Sequence, residues 1–334
     1  MQLGKVIYHK YMKSSTLVLL AYNEELNIKN SINELFNEFN HILIVNDNST
    51  DKTREIIEKL QLDNQHIYLI NNSKNYGAGK SLQIGIDYIK SGNIDTEIIV
   101  KIDGDNQFDT HDILKIKELL ENNLNVEFIK SNRFWRDGIK GNMPTKRFIG
   151  NSFANFWIKL NTGNFQINDP LNGLFGFRIS FLKKIQIPKL FNRYGYPFYL
   201  NSFSVLNNIQ TLEIKNTINY NTGTTSQLKA FRLFLKLIYF SIIYFFYNLK
   251  QKSKVSNLQI SVVLDIFWLF LFSSSFIPIL KIFQIRNEII SGLQSNWLII
   301  FLTLQSAAAV ILYLSKTIEN SFRKNYFQNE FEKS

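Results

Sequence analysis

The chain has 334 residues, of which 45% are hydrophobic, and this length allows one large domain or two smaller ones. It contains no cysteine, which excludes disulfides, thiolate zinc sites and cysteine nucleophiles and agrees with a reducing cytoplasmic environment. The formal net charge of +11 predicts an anionic partner, for which nucleic acid, a phosphorylated substrate and an anionic membrane surface are the candidates.

The amino-terminal part of the chain alternates between short β-rich segments and helical patterns. It begins with a polar stretch, Met1 to Lys13, which lacks the apolar core of a signal peptide. Strands are predicted at Thr16–Leu20, Ile42–Val45, Ile67–Ile70, Ile98–Ile102 and Val126–Lys130, and helices near residues 25–38, 51–61, 78–90 and 111–122. Right-handed crossovers place such strands in one mostly parallel sheet, so the loops that follow them meet at one edge.

Polar loops follow the first two strands, with the sequences AYNEE and NDNSTD. In these loops Glu24 can accept hydrogen bonds from ribose hydroxyls and Asp47 can accept one from a nucleobase N–H. The second loop is also ordinary turn composition, and Ser49 or Thr50 is expected to cap the helix that starts near Asp51. The other polar loops on the same edge favour the nucleotide interpretation.

The loop after the third strand, NYGAGKS, is similar to the end of a phosphate-binding P-loop. The first glycine that a P-loop requires would stand at position 74, which is occupied by Lys74. The P-loop of ATPases and kinases is therefore excluded.

Two aspartates, Asp103 and Asp105, end the fourth strand in the string IIVKIDGDNQFD. Carboxylates one residue apart at the carboxyl edge of a sheet offer oxygen ligands to a hard divalent cation, which can bridge the protein and a diphosphate. Surface turns often contain such pairs, but this pair follows an apolar strand and is accompanied by Gln107. The sequence therefore predicts a site for a hard divalent cation.

Positive charge is concentrated on the loop after the fifth strand. Arginine side chains match phosphate oxygens better than lysine does, which favours a phosphate ligand here. RNA is the alternative, and it is disfavoured because these basic residues lie between a predicted diphosphate site and a predicted membrane anchor. The basic residues are Arg133, Arg136, Lys140, Lys146 and Arg147.

Two long apolar segments near the end of the chain, Val262–Phe283 and Trp297–Leu314, predict a membrane hairpin. Core helices of a soluble domain are the alternative. Asp265 is the exception within the first segment, and near a helix end it is expected to reach the membrane interface. Basic residues flank the hairpin and place both flanks in the cytoplasm by the positive-inside rule: Lys250, Lys252, Lys254, Lys316, Arg323 and Lys324.

An amphipathic segment, Leu228–Lys250, precedes the hairpin. Lys229, Arg232 and Lys236 recur there at helical spacing among apolar residues, which predicts an interfacial helix on anionic headgroups. Its uncharged part, Leu237–Tyr247, is too short to span a bilayer, although a third span is the alternative.

The four ordered loop motifs resemble those of the family 2 inverting glycosyltransferases, whose fold is called GT-A. Within that family the chain is most similar to the polyprenyl-phosphate hexosyltransferases of the dolichyl-phosphate mannose or glucose synthase type. This similarity covers residues 16 to about 215. It depends on SNRF after the fifth strand, KRFIGN at the next helix, the string NDPLNGLFGFR and the terminal hairpin. The chain departs from the family pattern at Leu20, where proline is usual, and at Asn46, which replaces the first acid of an Asp-Asp pair.

The resemblance implies an α/β GT-A domain that transfers a hexose from a nucleotide sugar, of the UDP-glucose or GDP-mannose type, to a polyprenyl phosphate at the cytoplasmic membrane face. The glycine loop would turn tightly against the nucleotide, and Lys80 would lie near the diphosphate or remain solvated. The acceptor phosphate is already anionic and needs no general base, so Asp169 would order the acceptor arginines or contact the sugar.

The residues implied for these roles fall into three groups. The donor-binding residues are Tyr22, Glu24, Asp47, Gly77, Gly79, Lys80 and Asp103; the ligands of the implied Mg²⁺ or Mn²⁺ are Asp103, Asp105 and Gln107; and the catalytic residues are Asp105, Arg133, Arg147 and Asp169.

Three regions are predicted along the chain: a cytosolic domain at 1–226, an interfacial helix region at 227–256 and a hairpin with a basic tail at 257–334. Small residues at 273–275 and 307–309 would allow close helix packing, either within the hairpin or in a homo-oligomer. A family 2 transferase with another membrane or glycan acceptor is one alternative function. A noncatalytic membrane scaffold with the same fold is another.

Overall fold

The computed structural model of the chain describes residues 14–135, 137–141, 143–220, 230–285 and 291–329. Some predictions fall outside the described residues: the polar start at residues 1–13, Arg136 in the basic loop and Lys229 in the amphipathic segment.

The described chain divides into two units. The first contains the residues up to Ile158, then Gln166–Ile238 and the residues from Tyr326 onward. The second contains Lys159–Phe165 and Tyr239–Asn325. The boundaries that the sequence places after residues 226 and 256 remain predictions.

The first unit is built around a mostly parallel sheet. Its strands are β1 (Ser15–Ala21), β2 (His41–Asn46), β3 (Ile67–Asn71), β4 (Ile98–Asp103), β5 (Phe128–Asn132), β6 (Ile139–Lys140), β7 (Phe175–Arg178), β8 (Thr211–Lys215), β9 (Ile218–Asn219) and β10 (Phe327–Asn329). Among the described residues, eight of them form one sheet in the order β10-β8-β5-β7-β4-β1-β2-β3, and β6 pairs with β9. All five predicted strands are confirmed. The sequence did not predict β7, which runs antiparallel between β4 and β5.

Helices connect these strands as the βαβ pattern predicts. They are α1 (Ile28–Asn33), α2 (Thr53–Leu62), α3 (Ala78–Lys90), α4 (Thr110–Asn122), α5 (Thr145–Thr162), α6 (Ile179–Lys184) and α7 (Tyr196–Leu206), with a 3-10 turn at Lys189–Phe191. Helices α1, α2 and α4 contribute buried Ile28, Ile57 and Ile116 to the core on one face of the sheet. On the other face, Gly85 of α3 lies against Val45, so this sheet is covered on both sides.

The start of α2 differs from the prediction. The helix begins at Thr53, and the Asp51 carboxylate accepts a hydrogen bond from the Thr53 backbone N–H at 3.0 Å. Ser49 instead donates its hydroxyl to Asn46, and the Thr50 N–H donates to Asn23. The prediction that Ser49 or Thr50 caps this helix is therefore wrong, because both residues satisfy the preceding turn.

The second unit contains long apolar helices. They are α8 (Ala230–Lys252, whose first residues belong to the first unit), α9 (Gln259–Ser274), α10 (Phe276–Ile285) and α11 (Ser291–Arg323). Within the described residues, three stretches are long and apolar enough to cross a membrane: Leu233–Lys252, Ser256–Lys281 and Asn296–Tyr326. The first of these is long enough to cross a membrane, whereas its uncharged part was judged too short from the sequence. However, β10 follows the third stretch and pairs with β8, which precedes the first, so the number of crossings between them must be even and the three stretches cannot all span. The pairing therefore favours an interfacial helix over a third span.

Charged side chains are buried together inside this helical unit. Lys252 contacts Asp265 and Glu319, and Glu319 also pairs with Lys316 at 3.0 Å and with Arg323 at 3.2 Å. All five side chains are at most 3% exposed. The expectation that Asp265 reaches the membrane interface is wrong, because an internal ammonium neutralises it. Lys252, Lys316 and Arg323 are structural partners, so fewer basic residues remain to support the positive-inside argument.

Replacing Lys252 by Met is expected to destabilise the protein strongly. The substitution leaves Asp265 buried without its cation, a defect that typically lowers the free energy of unfolding by about 3–5 kcal/mol. Lys254→Met is the matched control, because Lys254 lies two residues away and is exposed. Thermal unfolding of the detergent-solubilised protein should show a large drop in midpoint for the first variant and almost none for the second. Equal midpoints would contradict a structural role for the buried ions.

Candidate active site

The carboxyl ends of three parallel strands meet at one edge of the sheet. Ala21 of β1 is in register with Asn46 of β2, and Leu20 of β1 is in register with Asp103 of β4. The loops that follow β1, β2 and β4 therefore begin side by side, as the βαβ pattern predicts.

Three carboxylates, those of Glu24, Asp103 and Asp105, influence one another at this edge. Burial raises the pKa of Asp105 to about 7, and the charges of Asp103 and Glu24 add to this effect. Burial also raises the pKa of Glu24; the hydrogen bond from Asn27 opposes the shift and the charge of Asp103 adds to it. Such crowding of negative charge is relieved when a cation binds. Asp105 Oδ1 accepts a hydrogen bond from the Gln107 backbone N–H at 3.3 Å.

The donor set at this edge suits Mg²⁺ or Mn²⁺, because carboxylate oxygens are the hard ligands that these ions prefer. However, no group of three or more His, Cys, Asp or Glu side chains that could hold a metal ion occurs within the described residues. A cation held by Asp103 and Asp105 would therefore need further oxygen ligands from water or from a bound substrate.

A buried lysine holds one of the two aspartates. Lys101 is fully buried in β4, and its ammonium donates to Asp103 Oδ1 at 2.6 Å, to the Tyr196 hydroxyl at 2.7 Å and to the Gly173 carbonyl at 3.1 Å. Burial disfavours its charge, but Asp103 and Tyr196 outweigh burial and raise the pKa of Lys101 to about 12. A Cβ added at Gly173 would lie 2.7 Å from Asp103 Oδ2, so a larger residue there would displace this carboxylate.

The glycine loop is anchored to Asp47. The Asp47 carboxylate accepts hydrogen bonds from Asn72 Nδ2 at 2.8 Å and from the backbone N–H groups of Tyr76 and Gly77 at 2.9 and 2.7 Å. Gly77 adopts φ +95°, which favours glycine, and a Cβ at Gly79 would collide with a neighbouring backbone carbonyl oxygen. The two glycines thus allow this loop to pack closely against the rest of the protein. Asp47 has a structural role in holding the loop, in addition to the nucleobase contact predicted from the sequence.

Arg133 is held in place from two sides. Its Nε donates to Asp169 Oδ2 at 2.7 Å, and its Nη1 donates to the Tyr220 hydroxyl at 3.0 Å. Burial disfavours the charge of Arg133, but Asp169 and Tyr220 outweigh burial and raise its pKa. The Arg147 guanidinium lies 5.0 Å from the centroid of the same tyrosine ring. Tyr220 therefore contacts both arginines that the sequence assigns to the acceptor phosphate.

A cavity of about 690 Å³ opens at this edge of the first unit. Its polar lining includes Tyr22, Glu24, Asp47, Asp103, Asp105, Gln107, Arg133 and Arg147, and its apolar lining includes Ile149, Phe153, Leu233, Phe234 and Leu237. The size is typical of a small-molecule site. Four described residues assigned to the site from the sequence are not part of the lining: Gly77, Gly79, Lys80 and Asp169. Arg193 and Ser81 line the cavity near the glycine loop instead of Lys80.

Sequence analysis assigned no role to Lys101, Tyr220, Tyr196 or Arg193. For Lys101 a signal exists, because it is a lysine flanked by Val100 and Ile102 within the strand IIVKID, where a buried lysine must find an internal partner. The other three follow no recognisable motif and reach the site only through the tertiary fold.

Comparisons with known proteins agree with this geometry. Residues 16–186 match the domain described as Glycosyl transferase family 2. The chain is 29% identical over 180 residues to the UDP-N-acetylglucosamine–dolichyl-phosphate N-acetylglucosaminyltransferase of Methanococcus voltae, which covers 50% of this chain and 70% of that protein. It is also 29% identical over 119 residues to a dolichyl-phosphate beta-glucosyltransferase of Trichomonas vaginalis, covering 32% of this chain but only 36% of that protein.

The fold also has counterparts among solved structures. Glucosyl-3-phosphoglycerate synthase from Mycobacterium tuberculosis, in complex with uridine diphosphate, superimposes with a TM-score of 0.52 at 16% identity, covering 71% of this chain and 83% of that chain. A second structure of that enzyme, which contains Mn²⁺, gives a TM-score of 0.50. This similarity confirms the GT-A fold, and the match over residues 16–186 shows that the chain is a glycosyltransferase that belongs to family 2.

Proposed function

We propose that the enzyme transfers a hexose or N-acetylhexosamine from a UDP- or GDP-linked donor to a polyprenyl phosphate at the cytoplasmic face of a membrane. The names of the two relatives, both dolichyl-phosphate sugar transferases, support this acceptor class. The first relative uses a UDP-linked donor according to its name, which favours UDP among the donors considered.

One observation carries the proposal: a single cavity combines carboxylates, arginines and an apolar wall. Carboxylates suit a cation that accompanies a nucleoside diphosphate, and arginines suit a phosphate. The apolar wall, which includes Phe153 and Phe234 with ring centroids 5.0 Å apart, suits the first isoprene units of a lipid. A sugar acceptor with many hydroxyls would instead favour polar lining.

In this proposal the residues of the chain act by position and charge. Asp103 and Asp105 would hold Mg²⁺ or Mn²⁺, and when bound this ion supplies charge neutralisation for the departing nucleoside diphosphate. Arg133 and Arg147 orient the acceptor phosphate, whose oxygen is the nucleophile at the anomeric carbon. Asp169 fixes Arg133 and takes no proton, since the acceptor is already ionised.

The membrane location of the acceptor agrees with the helices. Leu233 and Leu237 line the cavity and belong to the helix that contains the candidate span Leu233–Lys252. The candidate span therefore begins at residues that form the apolar wall proposed for the lipid. With Leu233–Lys252 as an interfacial helix, we place the first unit on the cytoplasmic side together with two exposed basic residues, Lys254 before the second stretch and Lys324 near the end of the third.

The first test is a transfer assay with the purified full chain, radiolabelled UDP- or GDP-sugars, Mg²⁺ or Mn²⁺, and dolichyl or undecaprenyl phosphate. Lipid-extractable label is expected. Asp105→Asn and Arg133→Gln should each lower its rate of formation by on the order of 100-fold, because each removes one charge from the reacting site.

Exposed residues provide matched controls for this assay. Asp63→Asn and Arg54→Gln change the same side-chain types at exposed positions and should retain the wild-type rate. Label found only in water-soluble products would contradict the polyprenyl acceptor. Full activity of the Asp105 and Arg133 variants would contradict the assigned site.

The second test separates the two contacts of Tyr220. Tyr220→Phe removes the hydroxyl that Arg133 contacts and keeps the ring beside Arg147, so the KM for polyprenyl phosphate should rise about tenfold. Tyr220→Leu removes both contacts and should raise this KM further. The KM for the nucleotide sugar should change little in both variants. Tyr88→Phe, in α3 away from the cavity, is the control. A rise in donor KM instead would contradict the assignment of these arginines to the acceptor.

A further inference from the structure

Lys101 places a permanent positive charge at the predicted cation site. Its ammonium lies 2.6 Å from Asp103 Oδ1 and is fully buried, with the Tyr196 hydroxyl and the Gly173 carbonyl as its other acceptors. All three acceptors are fixed parts of the fold, so this ammonium cannot move away into solvent. One oxygen of Asp103 is therefore already paired before any ligand binds.

This pairing reduces the negative charge and the carboxylate oxygens that the protein alone provides to a divalent cation. Asp103 is partly neutralised, and its second oxygen lies close to the Gly173 backbone. Asp105 remains as the stronger carboxylate ligand, and no set of three acidic or histidine ligands is found within the described residues. A dication near Asp103 is also repelled by the ammonium, because two like charges a few ångströms apart interact unfavourably even in a partly solvated site.

We propose that Lys101 is a positioning residue and an internal counter-ion that makes cation binding depend on the nucleotide. Without a nucleotide, the ammonium competes with the dication for Asp103 and keeps its affinity low. When a nucleotide binds, its diphosphate supplies the additional negative charge and oxygen ligands, so cation and nucleotide bind together. This inference rests on the proposed function, in which Asp103 and Asp105 hold the cation.

The test measures binding of Mn²⁺ to the full chain by electron paramagnetic resonance, at a pH above the raised pKa of Asp105, with and without UDP or GDP. Wild-type protein should bind Mn²⁺ weakly alone and much more tightly with one of the nucleotides. Lys101→Met should bind Mn²⁺ alone about tenfold more tightly than wild type, since the competing charge is gone. The gain in affinity on adding nucleotide should shrink correspondingly.

The sign of this change separates the proposal from a merely structural role, because damage to the site would weaken Mn²⁺ binding. Lys101→Gln, which removes the charge but keeps a hydrogen-bonding group, should also bind Mn²⁺ more tightly and serves if the Met variant does not fold. Lys130→Met is the matched control. Lys130 is another buried strand lysine, but it pairs with Glu213 at 2.7 Å, which does not line the cavity. Its Mn²⁺ affinity should equal that of wild type.

Two results would overturn the inference. Unchanged or weaker binding of Mn²⁺ alone by the Lys101 variants, in a protein whose wild type shows nucleotide-dependent binding, overturns the inference and leaves the proposed function intact. Absence of Mn²⁺ binding by wild type even with UDP and GDP overturns the metal-dependent function and the inference with it.

Discussion

Charges buried near the carboxyl edge of the sheet are held as ion pairs, and these pairs determine where the reactive groups stand. Lys101 fixes Asp103, and Arg133 is fixed by Asp169. A buried charge without a partner is strongly destabilising, so each pair can be broken only at a large free-energy cost. Because the pairs form within the protein, the orientation of these side chains is set before a ligand arrives. Such preorganisation is what electrostatic catalysis requires.

The same pairs explain how one cavity can receive both a cation and an anion. A site that holds a nucleoside diphosphate with a dication needs net negative protein charge, whereas a site for a lipid phosphate needs positive charge. If the acidic and basic side chains of the cavity could pair directly with each other, their charges would cancel. Here Lys101 pairs with Asp103 and Asp169 pairs with Arg133. Strand β7 also lies between β4, which ends at Asp103, and β5, which Arg133 follows. The two kinds of charge therefore remain distinct within a single cavity.

The sequence was sufficient for those parts of the fold that depend on periodicity. All five predicted strands and the order of βαβ units are present, because buried parallel strands form short apolar runs between helical patterns. Strand β7 was not predicted, since FGFR is too short to show alternation. The hydrogen bond from the Glu25 N–H to Asp51 and the buried contact between Lys252 and Asp265 join residues that are 26 and 13 positions apart along the chain. Partners of this kind, like the contact between Tyr220 and Arg133, cannot be read from local sequence.

The environment of Asp169 bears on the class of acceptor. A hydroxyl acceptor requires a base, and Asp169 occupies the region from which many enzymes of this family would take one. Its Oδ2, however, accepts hydrogen bonds from the backbone N–H and Nε of Arg133 and from Asn172 Nδ2. Asp169 is also fully buried and does not line the cavity, so its carboxylate does not face an acceptor held there. The ion pair therefore favours an acceptor that arrives already ionised, for which orientation beside an arginine is sufficient.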